Sequence, residues 1–294
     1  MTKMQINADD LEIIKQARAA KKNAEAVGIN VTAEPTYAVN TQAYDNFIPI
    51  ENTPSLGIGY PSELRGQPLK VEDLLLIQSI TDKTFFKRFT ELMERRFRGV
   101  EPGNILVSDE LYLALWLRAN SYPGYLFPGD AYKCSHCDYD VPSHVVEFKF
   151  SDMNFSCSNI NEVKEKFKGK DSTTLTLTSG KDVVMQMKRR KHQGRIESVL
   201  QRDYYQYGTT PDDVTYQLMN IASNIKFDGD SDIMDTVENL KALTPIEFVE
   251  LLRLMKKFTL TGDPVIDVVC PACGEVNQIF GYIFRPDIYL PIDN

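Results

Sequence analysis

Titratable imidazole and surplus positive charge are what this sequence has least of. Its 294 residues include three histidines, His136, His144 and His192, and one tryptophan, Trp116. So few imidazoles leave little from which to build a general base, and the scattered serines and aspartates form no nucleophile motif, so no enzymatic activity is expected. Lysine and arginine number 33 against 41 acidic residues, a net charge of −8, whereas a dedicated nucleic-acid binder usually carries a basic face. A phosphate loop is also missing: Gly57-Ile-Gly59 lacks a third glycine, and no Gly-x-x-x-x-Gly-Lys-Ser/Thr run occurs. No apolar stretch reaches the length that spans a bilayer, and Met1-Thr-Lys-Met-Gln-Ile6 has no signal-peptide hydrophobic region. The chain is therefore expected to stay in the cytoplasm in which it is made.

What the chain does have is two matching cysteine pairs, Cys134-Ser-His-Cys137 and Cys270-Pro-Ala-Cys273. Two thiolates separated by two residues can bind one metal ion from a tight turn, so two such knuckles supply the four sulfurs of a tetrahedral structural zinc. A single zinc site of Cys134, Cys137, Cys270 and Cys273 is expected. Four thiolates close the coordination shell and leave no position for a substrate water, which makes the ion structural rather than catalytic. The competing readings are two thiol redox pairs, or His136 in place of one sulfur. A thioredoxin-like pair would open a helix in a βαβ context, whereas both pairs here lie between strand-like runs. The backbone direction within the turn points His136 to solvent. The fifth cysteine, Cys157, ends Met153-Asn-Phe-Ser-Cys157, a period-two run, and is expected to be buried in a strand.

Periodicity gives the fold class as α+β, a mainly helical body with small antiparallel β elements and two zinc-knuckle units joined in one four-cysteine site. Residues 1–61 read as an N-terminal helix, over 8–27, and an extended arm. The arm holds Val31, Tyr37, Val39, Tyr44, Phe47, Ile48 and Ile50 among prolines, too many aromatic and β-branched residues for a disordered linker, so it lies either on another protein or on its own core. Residues 62–294 form the body. Helices are predicted over 71–80, 82–97 and 108–120, the last with Ser108 as N-cap. Further helices start near Ile196, run from a Thr210-Pro-Asp-Asp213 cap through Ile225, and cover 231–243. Thr244-Pro-Ile-Glu247 is a capping box with proline at the first helical position. A strand is predicted at 146–150, with a hairpin at 175–187 packed on it. Residues 108–150 and 244–286 share one order: capped apolar helix, Gly-Asp turn, strand, CxxC, strand. Asp228, Asp230 and Asp232 lack the glycine and glutamate of an EF-hand loop and read as helix caps. The basic run Lys188-Arg-Arg-Lys-His-Gln-Gly-Arg195 is either a solvated element end or a contact for an acidic partner or nucleic acid.

The order of these features resembles that of the T4-like bacteriophage baseplate hub protein family. A Pro-Ser-x-Gly-x-x-Tyr-Pro type start, a helical stretch, a Leu-Arg-x-Asn-Ser-Tyr-Gly type stretch and a CxxC stand here as Pro54-Ser-Leu-Gly-Ile-Gly-Tyr60-Pro61, residues 71–97, Leu117-Arg-Ala-Asn-Ser-Tyr-Pro-Gly124 and Cys134 to Cys137. The resemblance covers roughly residues 50–285, and the motif order is its specific part. It implies a structural component of a contractile-tail baseplate hub, made in the host cytoplasm and built into the tail baseplate of the virion. Such an adaptor would contact other baseplate and tail proteins, in part through its N-terminal arm, with no small-molecule substrate and no membrane segment. A hub assembly factor or chaperone absent from the virion is the alternative within that family. A zinc-ribbon nucleic-acid binder using residues 188–195 is the alternative outside it.

Overall fold

Aromatic and aliphatic residues at helical spacing set up the first half of the described chain, which in this computed structural model comprises residues 46–280 apart from 81–83, 125, 156 and 263. Strands β1 (Ile48–Pro49), β2 (Arg65–Gly66) and β3 (Phe97–Arg98) form an antiparallel sheet in that order, with helices α1 (Val71–Gln78) and α2 (Phe85–Arg96) between β2 and β3. On α2, Phe89, Leu92 and Met93 share one face and are buried. Arg95 and Arg96 fall in its last turn, where cations suit the C-terminal dipole. Helix α3 (Val107–Ser121) is enclosed on nearly every side, since Tyr112, Leu113, Ala114, Leu115, Trp116 and Leu117 are buried in succession. A helix that is apolar all round has to be surrounded, and α3 is the axis of the first core. Gly66 permits this closeness, because a Cβ there would stand 2.5 Å from the Trp116 ring.

Five short strands follow: β4 (Phe127–Pro128), β5 (Tyr132–Lys133), β6 (Asp140–Val141), β7 (Glu147–Phe148) and β8 (Met153–Phe155). β4 pairs with β7 and β5 with β6, both antiparallel. The chain then builds a second core from α4 (Ile160–Phe167), β9 (Ser172–Thr176), β10 (Asp182–Gln186), α5 (Arg190–Val199), α6 (Asp213–Ala222), β11 (Ile225–Phe227), α7 (Ile233–Lys241) and α8 (Pro245–Phe258). The sheet order is β11-β10-β9. Leu175, Val183 and Met185 face inward onto Val163, Phe167, Met219, Val237 and Leu251. Asp212 accepts from Thr215 N at 2.8 Å and Asp232 from Met234 N at 2.7 Å, while Thr244 and Glu247 exchange bonds of 3.3 and 2.8 Å. Caps of this kind stabilise a helix by about 1 kcal/mol each. Finally β12 (Pro264–Val269) and β13 (Val276–Phe280) return to the first core in an antiparallel sheet of order β13-β12-β8, with Ile266, Val268 and Cys270 inside.

The described residues thus hold eight helices and small antiparallel sheets, a mixed α+β fold. The helix expected over 8–27 and the arm before residue 46 lie outside the described residues. From there the arm packs on the chain's own body: Ile50 and Ser55 are buried, and Tyr112 Oη donates to Glu51 O at 2.6 Å. Ser108 is not the cap of α3. The helix starts one residue earlier, after Leu106, because Val107 N–H donates to Lys188 O (3.0 Å) and Arg190 N–H to Ile105 O (2.9 Å) in a strand-like pairing. The first-turn carboxylate of Asp109 instead anchors the arm, accepting from Ser55 N (2.9 Å), Ser55 Oγ (2.6 Å) and Tyr60 Oη (2.7 Å). Burial pushes the Asp109 carboxyl up, against those bonds. Ile225 does not continue α6 but opens β11, opposite Met185. The hairpin β9–β10 accordingly lies beside β11 and not on the 146–150 run, whose Glu147 and Phe148 pair with β4. Cys157 is buried just past β8.

Candidate metal centre

Both cysteine pairs sit in turns of one design. Between β5 and β6, Cys134 N–H donates to Tyr139 O (2.9 Å) and Asp138 N–H to Cys134 O (3.0 Å); between β12 and β13, Cys270 N–H donates to Glu275 O (2.9 Å) and Gly274 N–H to Cys270 O (2.9 Å). The residue after the second cysteine is left-handed in both, with φ of 60° at Asp138 and 77° at Gly274. Glycine adopts this conformation freely, and aspartate is among the few other residues that tolerate it. In each pair the first cysteine is buried and the second exposed.

The two turns meet crosswise. Cys134 Sγ lies 3.7 Å from Cys273 Sγ, Cys137 Sγ lies 3.8 Å from Cys270 Sγ, and all four sulfurs fall within 4.8 Å of one another. A tetrahedron of ~2.3 Å metal–sulfur bonds has edges of about 3.8 Å, while a disulfide is about 2.05 Å long. The four cysteines are free thiols at the spacing of a four-coordinate ion, and the expected cluster of Cys134, Cys137, Cys270 and Cys273 is present. It joins residues 139 positions apart in the chain.

Sequence reasoning missed Asn277, which is buried on β13. Its Oδ1 accepts from Ser135 N (2.9 Å) and Ser135 Oγ (3.0 Å), and its Nδ2 donates to Cys134 Sγ (3.4 Å) and to Glu275 O (3.2 Å). One amide therefore spans both turns. Only its position four residues past Cys273 could have marked it.

The four sulfurs act on one another's ionisation. Burial raises the Cys134 thiol, but the N–H groups of His136 and Cys137 and the Asn277 amide outweigh it and bring the group down to about 6. The backbone N–H of Tyr139 lowers Cys137, yet burial and the other three sulfurs push it well above the ordinary thiol value. One thiolate suppresses the ionisation of its neighbours, and a bound dication would remove that conflict. Asn277→Ala is expected to weaken metal retention about 10- to 100-fold, the usual cost of losing a group that orients a ligand. Competition with a chromogenic chelator measures it; unchanged retention would show the amide to be structural only.

The other sequence-marked residues do not join a site. The 188–195 run is a junction rather than an open basic face. Arg189 is 3% exposed and donates to Gly59 O at 3.0 Å and to Asp171; Arg190 is 2% exposed and pairs with Glu110 at 3.1 Å. His192 is buried, accepts from Arg189 N at 3.3 Å, and is held neutral with its pKa lowered to about 4, by burial and then by the cations of Arg195 and Lys191. Lys191 and Arg195 stay exposed, as does His136. The Asp230 carboxylate accepts from Phe227 N (2.9 Å), Thr236 Oγ1 (2.6 Å) and Asn239 Nδ2 (2.6 Å), so it ties β11 to α7, while Asp232 caps that helix. Among the described residues no other cluster of histidine, cysteine and acidic side chains matches the four cysteines, and no helix is long and apolar enough to cross a membrane.

Compared with known proteins, the chain significantly matches no protein-family model, no curated protein and no solved structure. Fold and site together define an α+β protein whose two halves of sequence are drawn together at a four-cysteine cluster.

Proposed function

We propose that the chain is a structural component of a phage contractile-tail baseplate hub, a rigid adaptor between tail proteins whose body is clipped by one zinc ion on Cys134, Cys137, Cys270 and Cys273. The observation that carries a structural role is the closed shell of four sulfurs at tetrahedral spacing. Soft thiolates in that geometry select zinc over calcium or magnesium and leave no ligand position for chemistry. The baseplate assignment rests on the order of the motifs from Pro54 to Cys137. Burial of Arg189 and Arg190 weakens the nucleic-acid alternative, because the two arginines at the centre of the basic run are already paired within the protein.

Mass spectrometry of purified virions tests the assignment. The protein is expected at a fixed ratio to the baseplate proteins of the tail. Its absence from virions, with presence in assembly intermediates of infected cells, would contradict a structural component and leave the assembly factor.

A further inference from the structure

A cleft of about 820 Å³ opens where β9 meets the C-terminal ends of α4 and α8. β9 is an edge strand, since the sheet order is β11-β10-β9. Met187 N donates to Asp171 O and Leu177 N to Lys181 O, both at 2.9 Å, which fixes the phase of the antiparallel ladder. By that alternation Thr173 and Leu175 bond to β10, and the backbone N–H and C=O groups of Ser172, Thr174 and Thr176 turn away from the sheet. Among the described residues nothing pairs with the edge over this stretch; beyond it Thr178 N donates to Glu250.

Four lysines and two glutamates line the cleft, Lys166, Lys168, Lys170 and Lys257 against Glu162 and Glu165, which leaves a surplus of two positive charges. No described carboxylate forms an ion pair with any of these lysines. Lys166 and Lys257 hold their ammonium groups 5.6 and 5.4 Å from the Phe258 ring, so an apolar floor lies between two cations. Lysines beside an open edge discourage a second copy of the same strand by like-charge repulsion. The same charges favour a strand that brings carboxylates.

We propose that this edge takes up an extended acidic segment of a partner protein as a fourth strand, its backbone paired with Ser172, Thr174 and Thr176 and its carboxylates over the lysines. The inference deepens the adaptor reading by naming the chemistry of one partner, and it rests on that reading only for the identity of the partner as a tail protein. Main-chain pairing gives such a contact its affinity, and the flanking side chains give it selectivity.

Fluorescence anisotropy of the full chain with a labelled peptide of alternating glutamate and valine tests it. The peptide is expected to bind, and Lys168→Glu with Lys170→Glu to weaken it at least about tenfold. Thr174→Pro removes one outward N–H while leaving the β10 ladder whole, a change that edge strands tolerate. It is expected to keep the melting temperature and lose binding, as is a peptide N-methylated on the pairing edge. Unchanged affinity in Thr174→Pro or with the N-methylated peptide would overturn strand addition, as would no binding at low salt or displacement of the peptide by single-stranded DNA. Binding with these signatures by a protein missing from virions would uphold the edge site and sink the structural-component reading alone.

Discussion

Replacing Cys134 or Cys270 with serine is expected to unfold the body, whereas Cys157→Ala leaves it folded. Both cysteines are buried in the first core, and they stand on turns far apart in the chain, one near the middle of the described residues and one near their end. Tying residues 139 positions apart removes chain entropy from the unfolded state worth about 4–5 kcal/mol if a cross-link of that span behaves as a disulfide does. Structural zinc adds its own binding energy, about 10 kcal/mol or more in small zinc domains, which is folding energy where no site exists in the unfolded chain. Against a typical net stability of about 5–15 kcal/mol, loss of the bound ion is enough to open the fold. Cys157 is also buried but stands outside the four-sulfur cluster, so its truncation gives up no cross-link, and the packing lost costs about 1 kcal/mol. Circular dichroism with and without a strong chelator separates the cases. Wild type is expected to lose its cooperative melt when the metal is stripped and to regain it on zinc addition. A chelator-resistant melt equal to that of the untreated protein would refute the clip.

Arg190→Ala is expected to be the most damaging change away from the cysteines. The guanidinium donates to Thr90 Oγ1 (3.0 Å), Glu110 Oε1 (3.1 Å) and Phe86 O (2.8 Å), and lies 4.6 and 4.8 Å from the rings of Phe86 and Phe89. It therefore pins α5, part of the second core, onto α2 and α3 of the first. Glu110 is the hostage in this arrangement: burial already pushes its carboxyl up, and Arg190 is what holds it down. Removing the cation strands that carboxylate, a loss of about 3–5 kcal/mol, or on the order of 10 °C in melting temperature for a body of this size. The double variant Arg190→Met with Glu110→Gln keeps the volume and removes both charges, and is expected to recover much of the loss. A single-variant cost below about 1 kcal/mol would show the junction to be incidental.

How far the sequence reaches is clearest at these two places. The cysteine turns are local: the spacing, the turn residues and the flanking strand runs all lie within a dozen positions, and four thiols so placed suit one shared ion. Likewise Thr244 and Glu247 form their capping box from neighbouring residues alone. By contrast, the run 188–195 is charged in the sequence and buried at its centre in the fold, because partners for Arg189 and Arg190 come from Gly59, Asp171, Thr90 and Glu110. No periodicity shows a pairing of that range. The same limit explains Ser108: a good N-cap by type, it lost that position when residues 188–190 paired with the backbone just before α3. Asn277 stayed hidden because its function depends on two turns being brought together, and the short strand β11 because Ile225 continues the apolar spacing of α6. Helix α4, with Val163 and Phe167 as its only buried residues, is too short for a periodic signal.

The measurement that bears most directly on the clip is X-ray absorption at the zinc edge on the purified full chain, with metal content determined on the same sample. One zinc per chain is expected, with four sulfur neighbours at ~2.3 Å and no nitrogen or oxygen in the shell. Two metal ions per chain, a shell that includes light atoms, or a metal-free protein that melts cooperatively would contradict it.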